Sequence, residues 1–345
     1  MSSTVKEIIS KLPEAFDKAL EQGDLLFFPS TVHKHTESNV EFEIRLCPAL
    51  QKKPALPTPN FDPHTKELPV QEHNGGTSDP FSPPYIPNLH VGDLKDESGT
   101  EYVLLLNKYS VISQHFLLVT KEFKSQTAPL MPPELVQIYM LLLAARDAQR
   151  PFFAFYNCGD NSGASQPHKH VQFIPMEGED GPPTDLLARS IKLEHPDKPF
   201  TLTALPYANH VFRLPALRST TPLHELENTL TQAFLALLDL AISTIRHDPD
   251  YPAGRPSYNV VMTLEHIQII PRKLENHILS ETGEKLSVNA LGYAGMLLVK
   301  SEEELEVVKK EGICTILKSV GVKSVHDIQV AGTSLEADGA ALASS

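Results

Sequence analysis

Tryptophan is absent from the 345 residues, and cysteine is nearly so, with only Cys47, Cys158 and Cys314. The three are far apart and odd in number, so neither a CxxC metal pair nor a secreted disulfide framework can be drawn, and a reducing compartment is expected. No window approaches 18 uninterrupted apolar residues, so no membrane-spanning segment is expected. The first stretch, MSSTVKEIISKLPEAFDKAL, alternates charged and apolar residues and has no signal-peptide core. An excess of positive charge is missing too. Lys and Arg number 30 against 43 Asp and Glu, a formal charge of −13. A broad basic face for nucleic acid is therefore not expected, because such binding depends on clustered cations that neutralise phosphates. An anionic substrate must instead be met by a local knot of lysines, by backbone N–H groups or by a metal ion. The expectation is a soluble, cytoplasmic protein with the nucleus also open to it, a monomer that binds neither nucleic acid nor membrane.

What is there is globular. Hydrophobic residues make up 41% and charged residues 21%, which excludes wholesale disorder. The 29 prolines exceed the average share of roughly 5% and predict many extended, proline-bounded loops. Helical spacing marks residues 5–20 and 132–149, with a short helix near 184–193. A longer helix is predicted from an N-cap at Thr221 to Arg246, and another from Ser301, where Glu304 completes a capping box. Strand-like runs are 25–28, 40–46, 102–106, 115–120, 152–156, 168–175, 207–214, 257–263 and 266–271. Residues 48–100 read as one long irregular connection, and 331–345 as a disordered tail.

One internal echo organises the chain. Tyr156-Asn157 leads to His170-Val171-Gln172-Phe173-Ile174-Pro175, and Tyr258-Asn259 leads to His266-Ile267-Gln268-Ile269-Ile270-Pro271. Both read Y-N … H-x-Q-x-I-P after a helix, as a diverged duplication of an α+β unit would. The expected organisation is a single compact domain, 1–330, with a catalytic half near 25–180 and a second half near 200–325. Only the first copy has a Gly/Ser loop and a second histidine.

On a strand, side chains alternate between faces, so His168, His170 and Gln172 are predicted to project together, with Lys169 and Val171 opposite. Three readings of the two histidines compete: structural residues, a transition-metal pair, or a nucleophile with its orienting neighbours. The preceding loop, CGDNSGASQP, favours the third. Its small residues let backbone N–H groups approach an anion, and its serines add donors. Placed against H-x-H-x-Q, the loop suggests phosphoryl chemistry with an imidazole attacking phosphorus. Asp160 reads as a turn residue.

The stretch GDNSGASQPHKHVQFIP resembles the fungal diadenosine tetraphosphate (Ap4A) phosphorylases, or ATP adenylyltransferases, of the galactose-1-phosphate uridylyltransferase branch of the histidine triad (HIT) superfamily. CPALQKKP, DPFSPP, LLLNKYSVISQHFLLVTKEFKSQ, SYNVVMTLEHIQIIPRK and NALGYAGMLLVKSEEEL resemble further family segments, in the family's order, across about residues 25–325. The resemblance implies an α+β, duplicated HIT-like fold, mainly antiparallel sheet with flanking helices. It also implies a nucleotidyltransferase working by double displacement. His170 would attack the α-phosphorus of Ap4A and release ATP, and inorganic phosphate would then take the adenylyl group as ADP. Sulfate is implied as an alternative acceptor.

By the same resemblance, His168 and Gln172 orient the imidazole and the phosphate. Substrate contacts fall on Lys53 (with Lys52 one register away), Asn107, Lys108, Asn157, the loop residues Ser162, Gly163, Ala164 and Ser165, and on Thr263, Arg272 and Lys273. The lysines would form the cationic knot. A divalent cation, Mg²⁺, would arrive with the nucleotide, and no tightly bound protein metal is expected. His266 has neither loop nor partner histidine and reads as structural. Cys158 has no histidine relay and is discounted as a nucleophile. Lys169 stands where the uridylyltransferases carry proline, which argues against a hexose-1-phosphate nucleotidyltransferase, the nearest enzymatic rival. A nucleotide sensor without turnover would have no need of the histidine pair.

Overall fold

The two Y-N … H-x-Q-x-I-P segments fold as matching antiparallel hairpins, Phe152–Cys158 with His170–Pro175 and Ser257–Met262 with His266–Arg272. The structure, a computed structural model, describes residues 3–52, 79–176 and 181–324; Lys53 and the tail 331–345 lie outside the described residues. In chain order the strands are β1 (Leu26–Phe27), β2 (Thr31–Glu37), β3 (Val40–Leu46), β4 (His90–Lys95), β5 (Glu101–Leu106), β6 (Tyr109–Ser110), β7 (Phe116–Thr120), β8 (Phe152–Cys158), β9 (His170–Pro175) and β10 (His210–Arg213). They continue with β11 (Ser257–Met262), β12 (His266–Arg272), β13 (Asn276–Ile278), β14 (Lys285–Ser287) and β15 (Met296–Val299). The helices are α1 (Ser3–Glu21), α2 (Pro132–Asp147), α3 (Pro183–Ser190), α4 (Leu223–Arg246), α5 (Ala290–Ala294), α6 (Glu302–Glu311) and α7 (Ile313–Val320).

Eight strands form one antiparallel sheet in the order β10-β12-β11-β8-β9-β7-β5-β4. The two hairpins meet at β8 and β11, with Asn157 directly opposite Asn259. A pseudo-two-fold axis at that point exchanges β7-β9-β8 with β10-β12-β11, and α2 and α4, each preceding its hairpin, pack against each other. This α+β arrangement is what duplication of one unit produces.

Apolar residues on one face of the sheet, Leu104, Leu118, Phe173, Tyr156, Val260 and Ile269 among them, pack under α1, α2 and α4. By length and composition α4 would be able to cross a membrane. Its apolar side instead covers β10 and β12, with Leu226, Leu230, Phe234 and Leu237 buried. The other face carries three smaller clusters. Val211 and Ile270 meet a three-stranded sheet, β15-β3-β2, and α3, α6 and α7. Phe153, Phe155 and Val261 meet α5. Val103, Leu105, Leu117 and Val119 meet Phe81.

The differences from expectation have simple causes. β4 lies inside the stretch expected to be irregular, and its sequence, HVGDLK, has no apolar alternation because most of its residues are only partly buried. β2, TVHKHTE, is a polar edge strand that pairs with β3 over seven residues. β9 starts at His170, not His168, which makes only an isolated bridge to Ser125. Pro222, not Thr221, occupies the N-cap of α4 and offers no side-chain cap. Beyond α6, whose Ser301 cap accepts from Glu304 N at 3.0 Å, Gly312 turns the chain at φ +90° into a further helix, α7.

Candidate functional site

His170 stands where a sheet ladder opens. β9 pairs with β8 as far as Gln172 opposite Phe155, and with β7 as far as His170 opposite Val119. Past that point the Gln126 side chain takes over: Nε2 donates to Asn157 O (2.7 Å) and His170 O (3.3 Å), and Oε1 accepts from His170 N (2.8 Å). The buried backbone polar groups are thereby satisfied while the strands separate, which leaves room for the loop 159–167 between them.

The alternation holds. Phe81 lies against both rings, with centroids 5.0 Å from His170 and 6.1 Å from His168. Lys169 points to the opposite face, where its buried ammonium pairs with Glu134 Oε2 (2.5 Å) and donates to Pro129 O (2.7 Å). Glu134 Oε2 also accepts from Met131 N at 2.9 Å, at the start of α2. The residue between the two histidines thus ties their strand to a helix.

The His170 ring has one nitrogen held and one without a partner among the described residues. Nδ1 donates to His168 O at 2.8 Å, so the neutral tautomer keeps its lone pair on Nε2. Burial pushes the His170 pKa down to about 4, partly offset by that carbonyl, so the ring is neutral near pH 7. His168 is held at both nitrogens, Nδ1 by Asp79 Oδ2 (2.8 Å) and Nε2 by Thr120 O (2.7 Å). Burial works to raise the Asp79 pKa, but hydrogen bonds from His168, Phe81 N and Ser82 outweigh it and hold the carboxyl below its usual range. Gln172 meets His115, whose Nε2 lies 3.1 Å from Gln172 Oε1 and whose Nδ1 lies 2.9 Å from Asn107 Nδ2.

The second half supports the loop. Asn259 Nδ2 donates to Asn157 Oδ1 (2.8 Å) and Ser162 O (2.9 Å), and Ser257 Oγ accepts from Asn161 N (3.0 Å). Gly159 and Gly163 have φ of +95° and +77°. A Cβ on Gly163 would stand 2.5 Å from Val288 O, so the loop backbone seats against the segment leading into α5 only as glycine.

Of the residues expected at the site, His168, His170, Gln172, Asn107, Asn157 and the Ser162–Ser165 loop are connected in this way. Ser162 is buried, its hydroxyl donating to Gly159 O at 2.6 Å; Ala164 is buried, and Ser165 is exposed. Lys108 is exposed, 5.9 Å from the ring centroid of Tyr109. Lys52 closes a short 3-10 turn, Pro48–Lys52.

Three of the expected contacts are engaged by protein partners. Arg272 is fully buried, and its five N–H donors all meet protein acceptors: Val320 O, Ser162 O, Asn259 Oδ1, Leu274 O and Glu275 O. It braces the loop from behind and has no donor left for a phosphate. Thr263 lies at the far end of β11, where its hydroxyl donates to Asp185 Oδ1 (3.0 Å) beside His266. Lys273 pairs with the buried Asp248 at 3.0 Å, which offsets its charge. Cys158 is buried with its thiol pushed up to about 12 by desolvation, and so is inert as a nucleophile near neutral pH.

Asp79, Phe81, His115, Thr120 and Gln126 escaped the sequence reading as individual residues. DPFSPP and the NKYSVISQHFLLVTKEFKSQ segment contain all five, but nothing local says which side chains turn inward. A histidine beginning an apolar strand, as His115 does, is the one signal that pointed there.

A family model for the Ap4A phosphorylase N-terminal domain matches residues 2–187, and one for the ATP adenylyltransferase C-terminal domain matches residues 203–323. Diadenosine 5',5'''-P1,P4-tetraphosphate phosphorylase 2 of Saccharomyces cerevisiae is 30% identical over 308 residues, covering 86% of this chain and 88% of that protein. The crystal structure of yeast Ap4A phosphorylase Apa2 with AMP superposes with a TM-score of 0.74 at 26% identity, over 92% of this chain and 97% of that one. The complex of the same enzyme with Ap4A gives 0.72 at 26% identity over the same shares.

Proposed function

The chain belongs to the family of Ap4A phosphorylases and ATP adenylyltransferases, and from that premise we propose that it splits Ap4A with inorganic phosphate into ATP and ADP, reversibly, through His170. One observation carries the chemistry: a buried, neutral imidazole whose Nδ1–H is fixed on His168 O, which leaves the Nε2 lone pair as the nucleophile. Nε2 attacks the α-phosphorus, the bond to the bridging oxygen breaks, and ATP departs with that oxygen. An oxygen of inorganic phosphate then attacks the same phosphorus, the N–P bond breaks, and ADP leaves with His170 neutral again. Two sequential displacements explain why a nucleophile is needed at all. A direct attack of phosphate on Ap4A would have to bring two polyanions together without an intermediate.

The donors follow from the geometry. Gln172, two residues along β9 from His170, and the backbone N–H groups of the Gly/Ser loop that precedes it would donate to the phosphate oxygens, and the Asp79–His168 pair fixes the carbonyl that holds the nucleophile. Mg²⁺ enters as a companion of the polyphosphate and offsets its charge. Asp160 in the loop has Oδ1 buried without a hydrogen-bond partner among the described residues, and a carboxylate of this kind suits an ion delivered by the nucleotide. Sulfate in place of phosphate, and action as a monomer, belong to the same reading.

The test is incubation with Ap4A and Mg²⁺, with and without isotopically labelled phosphate, followed by chromatography. ATP and ADP formed only with phosphate, the label residing in ADP, and loss of both in His170→Ala are expected. Two ADP molecules formed without phosphate would mean a symmetric hydrolase and overturn the proposal.

A further inference from the structure

We propose that His115 is a positioning residue which, with Asn107, fixes the direction of the Gln172 amide so that its NH₂ end faces the substrate. The juxtaposition is a line of four polar groups whose polarity starts from a backbone amide. Tyr109 N can only donate, and it donates to Asn107 Oδ1 at 3.2 Å. That assigns the other end of the Asn107 side chain, Nδ2, to the contact with His115 Nδ1 at 2.9 Å. An amide nitrogen has no lone pair to offer, so Nδ1 of His115 is the acceptor and the ring proton sits on Nε2. Nε2–H therefore donates across 3.1 Å to Gln172 Oε1, and the two N–H bonds of Gln172 are left for the other side.

Burial reinforces the assignment. His115 is 7% exposed, and desolvation brings its pKa down to about 4, against a raising effect from Gln172, so the ring does not acquire a second proton near neutral pH. An imidazolium would still donate to Gln172 but would lose the Asn107 contact, because two N–H groups would then face each other.

The consequence rests on the phosphorolysis reading; the geometry does not. Gln172 shares a face of β9 with His170, and an amide turned the right way offers N–H to a phosphoryl oxygen gathering charge in the transition state. Turned the other way, it would set a carbonyl oxygen against that charge. Nothing in glutamine itself chooses between the two, and the choice is made by His115. On this view His115 touches neither nucleotide nor the reacting atoms.

Two measurements decide the matter. The first is ¹⁵N NMR of histidine-labelled protein, with the His115 signals assigned by their loss in whichever of His115→Phe and His115→Gln stays folded. An Nε2–H tautomer unchanged from pH 8 to 5.5 is expected; an Nδ1–H tautomer, or titration near 6.5, overturns the proposal without any reference to activity. The second is a double-mutant cycle on Ap4A phosphorolysis. His115→Phe should lower kcat about tenfold with KM nearly unchanged, Gln172→Ala about a hundredfold, and the double variant no more than Gln172→Ala alone. Losses that multiply instead would make His115 a structural residue and overturn it. If the wild type turns over no Ap4A, the functional reading has failed, while the tautomer still judges the relay.

Discussion

Replacing Arg272 separates two roles that the sequence alone leaves together. A substrate arginine would lose affinity when changed to lysine and leave the fold intact. The structure instead puts five donors on five acceptors inside the protein, two of them Ser162 O (3.1 Å) and Asn259 Oδ1 (2.5 Å), which hold the catalytic loop. The guanidinium also lies 5.1 Å from the Tyr293 ring centroid. Lysine brings three donors on a tetrahedral nitrogen, so at least two of the five charge-assisted hydrogen bonds are lost, at about 1.5–3 kcal/mol each. A loss of about 4 kcal/mol follows, in line with the roughly 3–5 kcal/mol for breaking a buried charged contact. At about 2 °C per kcal/mol for a chain of this size, Arg272→Lys should melt roughly 8 °C lower. The loop tether weakens with it, so kcat should fall while KM for Ap4A and phosphate moves little. Thermal unfolding by circular dichroism and steady-state kinetics on the same samples make the check. A melting temperature within a degree or two of wild type, together with a tenfold rise in KM, would refute the argument and return Arg272 to the substrate.

Three further perturbations have definite signs. His115, His170 and His210 are each pushed down to about 4 by burial, below the roughly 6.5 of an unfolded chain. The unfolded state then takes up protons first as pH falls, so their stabilisation is complete above about pH 6.5 and is lost toward pH 4. At pH 5 the loss is up to about 2 kcal/mol per histidine; urea midpoints should drop from pH 7.5 to 5, and a flat profile would speak against buried neutral rings. Gly163→Ala should cost more than about 2 kcal/mol and most of kcat, since its Cβ would meet Val288 O at 2.5 Å; Gly283→Ala, at a similar φ of +70° but with nothing within 4 Å, is the matched control, and equal effects would deny the loop its tight seat. Asp79→Asn keeps the shape beside His168 Nδ1 but removes the charge, so kcat should fall about tenfold or more with KM retained, and an unchanged kcat would detach Asp79 from the site.

Much of the sheet was readable because its strands are apolar on both faces. Phe152–Cys158 and Ser257–Met262 are buried at every position, and such runs announce themselves. β2 and β4 did not, because partly exposed polar residues form them and their pairing comes from neighbours distant in sequence. The site divides along the same line. His168, His170 and Gln172 stand two apart on one extended segment, so local alternation suffices to group them. Asp79 and His115 reach them from 89 and 57 residues away, and no local pattern encodes such a meeting. Arg272 and Lys273 illustrate the converse. Charge beside a motif suggested substrate, and the sequence did not show the protein partners of each charge, five acceptors for one and Asp248 for the other.

The pseudo-two-fold makes the reactivity of His170 a controlled comparison within one molecule. His266 occupies the equivalent position on β12, is equally buried, and has its own aromatic neighbour, Phe200, with ring centroids 6.2 Å apart. Its Nδ1 is fixed, like that of His170, on an oxygen, here Asp185 Oδ1 at 3.0 Å. The difference is at the other nitrogen. Arg213 Nε stands 3.1 Å from His266 Nε2, so the lone pair that would act as nucleophile accepts a hydrogen bond from a guanidinium. Arg213 is held in turn by Ala188 O and Ile191 O, at the end of α3. Burial and tautomer alone therefore do not make a reactive histidine on this fold. What distinguishes the first half is that, among the described residues, no cation closes off Nε2 and that a glycine-bearing loop precedes it in the chain. The loop is braced by Asn259 and Arg272 of the second half, so the copy with the blocked histidine supplies the frame for the copy with the open one.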